Sequence, residues 1–182
     1  LLLEYGADPN IQDKYGNTPL IEACYQSNID IVKLLLENDA DPNIQDEGGY
    51  TPLRLACHIS HISSTDIVKL LLSHGADPNI QDKYGNIPLM EACNNGSIDI
   101  VKLLLSHGVD INIQNHQERT ALWYACFSGR IDIVKLLLEY GANPNELLVQ
   151  VRNGETLLMH ACKKDDFDTY FCKRASALLD LI

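Results

Sequence analysis

Large rings and flexible apolar side chains are scarce: one Trp, three Phe and two Met stand in 182 residues. A core built on aromatics is therefore excluded, and apolar burial must come from Leu, Ile, Val and Ala. No apolar run approaches the roughly 20 residues that a membrane helix needs, so no membrane partner is expected. Positive charge is short too. Lys and Arg total 14 against 25 Asp and Glu, a net charge of −11. That balance repels a polyanion such as DNA or RNA, and it steers in a partner with a basic surface. At 46% hydrophobic and 21% charged, the composition is globular. There is no signal peptide and no initiator Met. The chain opens inside a repeat and reads as a monomeric fragment. No Ser-His-Asp arrangement, phosphate loop or dinucleotide fingerprint occurs, so no enzyme and no cofactor are expected.

What is present is repetition, which decides the architecture before anything else. The string IVKLLL occurs at 31–36, 67–72, 100–105 and 133–138, in steps of 36, 33 and 33. Each copy leads into a turn of the form G-A-D-P-N, at 39–43, 75–79, 108–112 and 141–145, with 6–10 after a partial copy. Ahead of most copies lies a tight turn and a helix start. Asp13-Lys14-Tyr15-Gly16 is a turn in which Gly supplies positive φ. Thr18-Pro19 is a cap followed by a residue pre-shaped for the first helical position. In the first helix Leu20, Ala23 and Cys24 share one face and Glu22, Tyr25 and Gln26 the other. The second helix is apolar nearly all round and must be covered on more than one side. Neither helix buries its face alone, so each repeat needs its neighbours.

The six cysteines do not form a disulfide framework. Cys24, Cys57, Cys93, Cys126 and Cys162 each follow an Ala, in steps of 33, 36, 33 and 36. Equivalent sites of stacked repeats lie about 10 Å apart, beyond the roughly 7 Å a disulfide tolerates. They read as small buried hydrophobes, and only Cys172 is out of register. The usage suits a reducing, intracellular compartment, cytoplasmic or nuclear. Cys57-His58-x-x-His61 invites a zinc reading, but Cys57 is expected to be buried and no fourth ligand is evident, so no metal is expected. Asn95-Gly96-Ser97 is a sequon read as chance.

The repeats are not identical. Repeat two carries three extra residues within His58–Thr65, and Asp39 stands for Gly in the turn before it. In repeat three Ile87 replaces the capping Thr, at a cost of roughly 1 kcal/mol. Repeat four loses its turn glycine at Asn115-His116-Gln117-Glu118, and repeat five decays after Cys162.

These residues resemble the ankyrin-repeat family, whose pattern runs roughly D-x-x-G-x-T-P-L-H-x-A-A-x-x-G-H-x-x-[IV]-V-x-x-L-L-x-x-G-A-D-x-N. Residues Asp13–Asn43 and Asp82–Asn112 follow it almost throughout. Two departures recur: the His after T-P-L is Ile21, Arg54, Met90, Trp123 or Met159, and the second Ala is always Cys. The resemblance implies an all-α solenoid of stacked antiparallel helix pairs with projecting hairpin loops. As one domain over 1–182 it divides into a partial repeat at 1–13, repeats at 14–46, 47–82 (with the insertion), 83–115 and 116–151, and a degenerate or truncated repeat at 152–182.

The resemblance also implies a non-enzymatic scaffold that binds another protein through its concave face, made of hairpin tips and the outward side of the first helices. Carried over by position, the tips are Lys14, Tyr15 and Asn17; Glu47 and Tyr50; Lys83, Tyr84 and Asn86; and His116, Gln117 and Arg119. The helix positions are Glu22, Tyr25 and Gln26; Leu55 and His58; Glu91, Asn94 and Asn95; and Tyr124, Phe127 and Ser128. These vary between repeats while packing positions hardly change, as a recognition surface on a fixed scaffold would. Arg119, Trp123, Tyr124 and Phe127 gather the usual hot-spot types in repeat four. Tyr124 and Phe127 are expected to anchor a partner, while Trp123 either joins them or packs against the neighbouring repeat. Two other readings stand beside this one. The array is a regulatory or targeting segment of a larger catalytic protein, or it is a substrate for an asparaginyl hydroxylase, with Asn112 the best-placed residue.

Overall fold

The computed structural model describes residues 3–58 and 64–145. After a 3-10 turn at Leu3–Tyr5 come eight helices: α1 (Pro19–Tyr25), α2 (Ile29–Leu36), α3 (Pro52–His58), α4 (Ser64–Ser73), α5 (Pro88–Asn95), α6 (Ile98–Ser106), α7 (Ala121–Phe127) and α8 (Ile131–Glu139). No strand occurs among the described residues. The insertion of repeat two, His61 and everything after Asn145, including Cys162 and Cys172, lie outside them.

The helices start where their chemistry says. Thr18 Oγ1 accepts from Ile21 N at 3.2 Å, Thr51 Oγ1 from Arg54 N at 3.2 Å and Thr120 Oγ1 from Trp123 N at 3.4 Å. Ile87 makes no such bond. Its side chain is fully buried instead, so apolar contact offsets the missing cap.

Two layers result. The odd-numbered helices pack in sequence, α1 on α3, α3 on α5, α5 on α7, and the even-numbered ones do the same from α2 to α8. The core lies between the layers. One register of the odd layer (Leu20, Leu53, Leu89, Leu122) and one of the even layer (Val32, Val68, Val101, Val134) are wholly buried. Cys24, Cys57, Cys93 and Cys126 are buried in that core, none in a disulfide.

The first second-helix departs from the expected all-round cover. Ile31 and Leu34 stand 43% and 46% exposed, whereas Ile67, Ile100 and Ile133 are buried. The reason is the layer itself: α4, α6 and α8 each pack against the preceding even helix. Among the described residues no even-layer helix comes before α2.

Side-chain amides tie repeat to repeat. Asn10, Asn43, Asn79 and Asn112 each accept, through Oδ1, a backbone N–H of the next turn, at 2.7 to 3.1 Å (Asp41, Asp77, Asp110, Asn143). Gln12, Gln45 and Gln81 donate both to a carbonyl of their own hairpin and to the next Gln in the row. Asp39 occupies the left-handed region at φ 62, as its place in the turn demands, and Glu118 does so at φ 59.

Candidate functional site

Each hairpin tip is built around one carboxylate or amide. Asp13 Oδ1 accepts from Tyr15 N and Asn17 N, both at 2.8 Å. The Asn17 N–H is the main reason the Asp13 carboxyl is held below its ordinary value. Asp46, Asp82 and Asn115 repeat the arrangement in the next three tips. Backbone bonds then join tip to tip: Glu47 N to Tyr15 O at 2.9 Å, Lys83 N to Gly48 O at 3.1 Å and His116 N to Tyr84 O at 3.0 Å. The left-handed glycines make this spacing possible, because a Cβ on Gly85 would sit 2.9 Å from His116 N.

The tips and the odd helices form one continuous face. On it Lys14, Tyr15, Glu47, Lys83, Tyr84 and His116 are exposed at the tips, and Asn17, Tyr50, Asn86 and Arg119 are half-buried. On the helices Glu22, Tyr25 and Phe127 are exposed, Leu55, Glu91 and Tyr124 are half-buried, and Trp123 is buried.

Two clusters break the pattern of independent surface residues. Between repeats two and three, the Arg54 guanidinium lies 4.4 Å over the Tyr50 ring. It reaches Asp82 Oδ2 at 3.1 Å and Glu91 Oε2 at 3.2 Å. Glu91 Oε1 meets His58 Nδ1 at 2.8 Å. Asn95 Nδ2 donates to the carbonyls of His58 and Cys57 at 3.0 and 3.3 Å. Glu91 thus faces inward onto Arg54 and His58. Arg54 was visible in the sequence as the charged member of a register otherwise held by Ile21, Met90 and Trp123. Its partners were not, because Asp82 lies 28 residues on.

In repeat four Arg119 lies 4.0 Å over the Trp123 ring. Trp123 stacks on Phe127 with centroids 4.8 Å apart and meets Tyr124 edge-on at 5.1 Å. The Tyr124 hydroxyl donates to Asn86 Oδ1 at 3.3 Å and accepts from Asn115 Nδ2 at 3.1 Å. Trp123 is buried among Arg119, Tyr124 and Phe127 of its own repeat, and Tyr124 ties repeat four to repeat three. Asn112 sits in its exit turn, with its Oδ1 accepting from Asn143 N.

Other chemistry is poorly served. Burial pushes the Cys24 thiol up to about 12 and raises Cys57 and Cys93 further. These thiols are not nucleophiles at neutral pH. No metal-holding cluster of His, Cys, Asp and Glu occurs among the described residues. An open groove of about 430 Å³ lies between the helix turns of repeats three and four, lined by Gly96, Arg130 and Asp132 among others. None of the positions assigned to the tip face borders it.

Residues 1–82 and 59–147 match the family described as ankyrin repeats (3 copies). The chain is an ankyrin-repeat protein. No curated protein gives a significant match. Ankyrin repeats generally act as protein–protein interaction modules, and the tip face is where this ankyrin array varies from repeat to repeat. No helix among the described residues is long and apolar enough to cross a membrane.

Proposed function

We propose that this ankyrin array binds a partner protein across its hairpin tips and odd helices, and that the partner's contacting surface is basic. The carrying observation is where the large exposed rings fall. Tyr15, Tyr25 and Tyr84 stand 55%, 62% and 64% exposed on one face that tip-to-tip bonds hold in fixed geometry. The exposed Tyr5 and Tyr140 lie off it, in the opening 3-10 turn and just past α8. Exposed tyrosine on a preorganised scaffold offers large contact area at small entropic cost. Repeat four contributes Phe127 at the far end of the same face.

Affinity capture tests the reading. The wild-type chain is compared with Tyr15→Ala/Tyr25→Ala/Tyr84→Ala and with a variant of the even helices, Lys33→Ala/Lys102→Ala. A bound protein lost from the tyrosine variant and kept by the lysine variant is the expected result. Equal retention by all three would sink the proposal.

A further inference from the structure

The tip face also carries information about what kind of segment it takes. Across repeats one to three it presents six carboxylates (Asp13, Glu22, Asp46, Glu47, Asp82, Glu91) against three cations (Lys14, Arg54, Lys83). Most of the carboxylates are already used. Asp13, Asp46 and Asp82 hold their own turns, and Glu91 and Asp82 share Arg54. Glu22 and Glu47 differ. Glu22 bonds only Gln26 on its own helix, and no described cation pairs with either one. Both are exposed, as are the Tyr15, Tyr25 and Tyr84 rings beside them in the repeat register.

The molecule shows what such a combination binds. Arg54 lies against the Tyr50 ring with a carboxylate at each nitrogen end, and it is only 13% exposed. A guanidinium between a ring face and a carboxylate gains both the quadrupole attraction and charge-assisted hydrogen bonds. In repeat two the chain fills this arrangement itself, and Lys14 Nζ lies 4.7 Å over the Tyr15 ring; the Tyr25 ring and the Glu22 and Glu47 carboxylates face solvent.

Resting on the proposed binding face, we infer that the occupant is an extended protein segment bearing arginine side chains, seated on tyrosine rings and paired with Glu22 and Glu47. Repeats spaced about 10 Å apart and an extended chain rising about 3.3 Å per residue place one arginine per repeat at every third residue. The fixed tips would meet such a segment with little reordering.

The test uses fluorescein-labelled peptides of about 12 residues, long enough for four repeats, with Arg at every third position and Gly or Ser between. A Glu-for-Arg peptide is the control, and binding is read by anisotropy at low and moderate salt. The Arg peptide is expected to bind and the Glu peptide not. Glu22→Gln/Glu47→Gln should weaken binding about tenfold, the effect of losing central contacts. Glu37→Gln/Glu139→Gln removes equal charge from the even helices and should change it by less than about twofold. Equal loss in both double variants would mean diffuse attraction to an acidic protein and would overturn the inference, as would no binding of the Arg peptide. If a captured partner depends on Tyr25 and Tyr84 but is indifferent to Glu22→Gln/Glu47→Gln, the binding face stands and the arginine-bearing segment falls.

Discussion

Gly85→Ala separates two reasons for a glycine that are usually confounded. Gly85 has φ +79, and a Cβ there would lie 2.9 Å from His116 N and 3.0 Å from Asn115 Cα. Gly108 has nearly the same φ, +76, with nothing within 4 Å of its Cβ position. Holding alanine in the left-handed region costs roughly 1–2 kcal/mol at either site. Alanine also restricts the unfolded chain equally at both. Only at Gly85 must backbone of the next repeat give way. That adds the roughly 1–3 kcal/mol of overpacking, and the His116 N–H to Tyr84 O bond goes with it. Gly85→Ala should therefore be about 1–3 kcal/mol worse than Gly108→Ala. At an m-value of about 2 kcal/mol/M, the urea midpoints should differ by roughly 0.5–1.5 M. Trp123 is the single tryptophan and sits in the repeat whose tip Gly85 touches, so its fluorescence reports the transition directly. Midpoints within about 0.2 M of each other would show that the tips are not rigidly stacked, and the preorganised face would lose its basis.

The remaining predictions concern polar and ionisable groups inside the stack. Arg54→Met puts the apolar residue of neighbouring repeats into a site where Asp82 is wholly buried. It should destabilise by about 2–4 kcal/mol because two carboxylates lose their cation, and adding Glu91→Gln should recover part of the loss in the same urea titration. Asn43→Ala removes the bonds to Gly75 O at 3.0 Å and from Asp77 N at 2.7 Å; a loss of about 1–3 kcal/mol is expected by urea denaturation. For Cys24, burial raises the thiol from 9.0 to about 12, so the folded chain keeps its proton while the unfolded chain ionises. Its contribution is whole below pH 9 and is lost as pH rises toward 12. The stability difference between wild type and Cys24→Ala should shrink by about 1 kcal/mol by roughly pH 10, read from urea midpoints at a series of pH values.

Repetition made the helices legible in the sequence because one register meets one environment again and again. Cys24, Cys57, Cys93 and Cys126 could be assigned to the core together, and Thr18 predicted its own cap. The same logic reached the left-handed turn at Asp39, where Gly holds the equivalent place in other repeats. It reached less far with polar positions. Asn10, Asn43, Asn79 and Asn112 recur as faithfully as the leucines, yet within one repeat a turn asparagine only suggests bonds to its own turn. Their bonds to the next repeat appear only when two copies are stacked in space. Trp123 illustrates the limit from the other side. Its register is apolar and buried in Ile21 and Met90, so the register favoured packing, while its residue type favoured recognition. In the fold Trp123 is buried as Ile21 and Met90 of its register are, and its ring meets Arg119, Tyr124 and Phe127 of its own repeat.

That outcome bears on how a binding face should be read in a repeat chain. A hot-spot residue type carries weight only where its register is exposed in the other copies. Tyr25 shares its register with His58, Asn94 and Phe127, and all four are exposed in this fold. Trp123 shares its register with two apolar core residues and with Arg54, which is itself sealed by ion pairs. Register-matched exposure therefore takes weight from Trp123 and keeps it on Phe127 and on the exposed tyrosines of repeats one and three. If Trp123→Leu weakened partner capture more than Tyr25→Ala/Phe127→Ala did, at matched urea midpoints, residue type would have outweighed register and this ordering would be reversed.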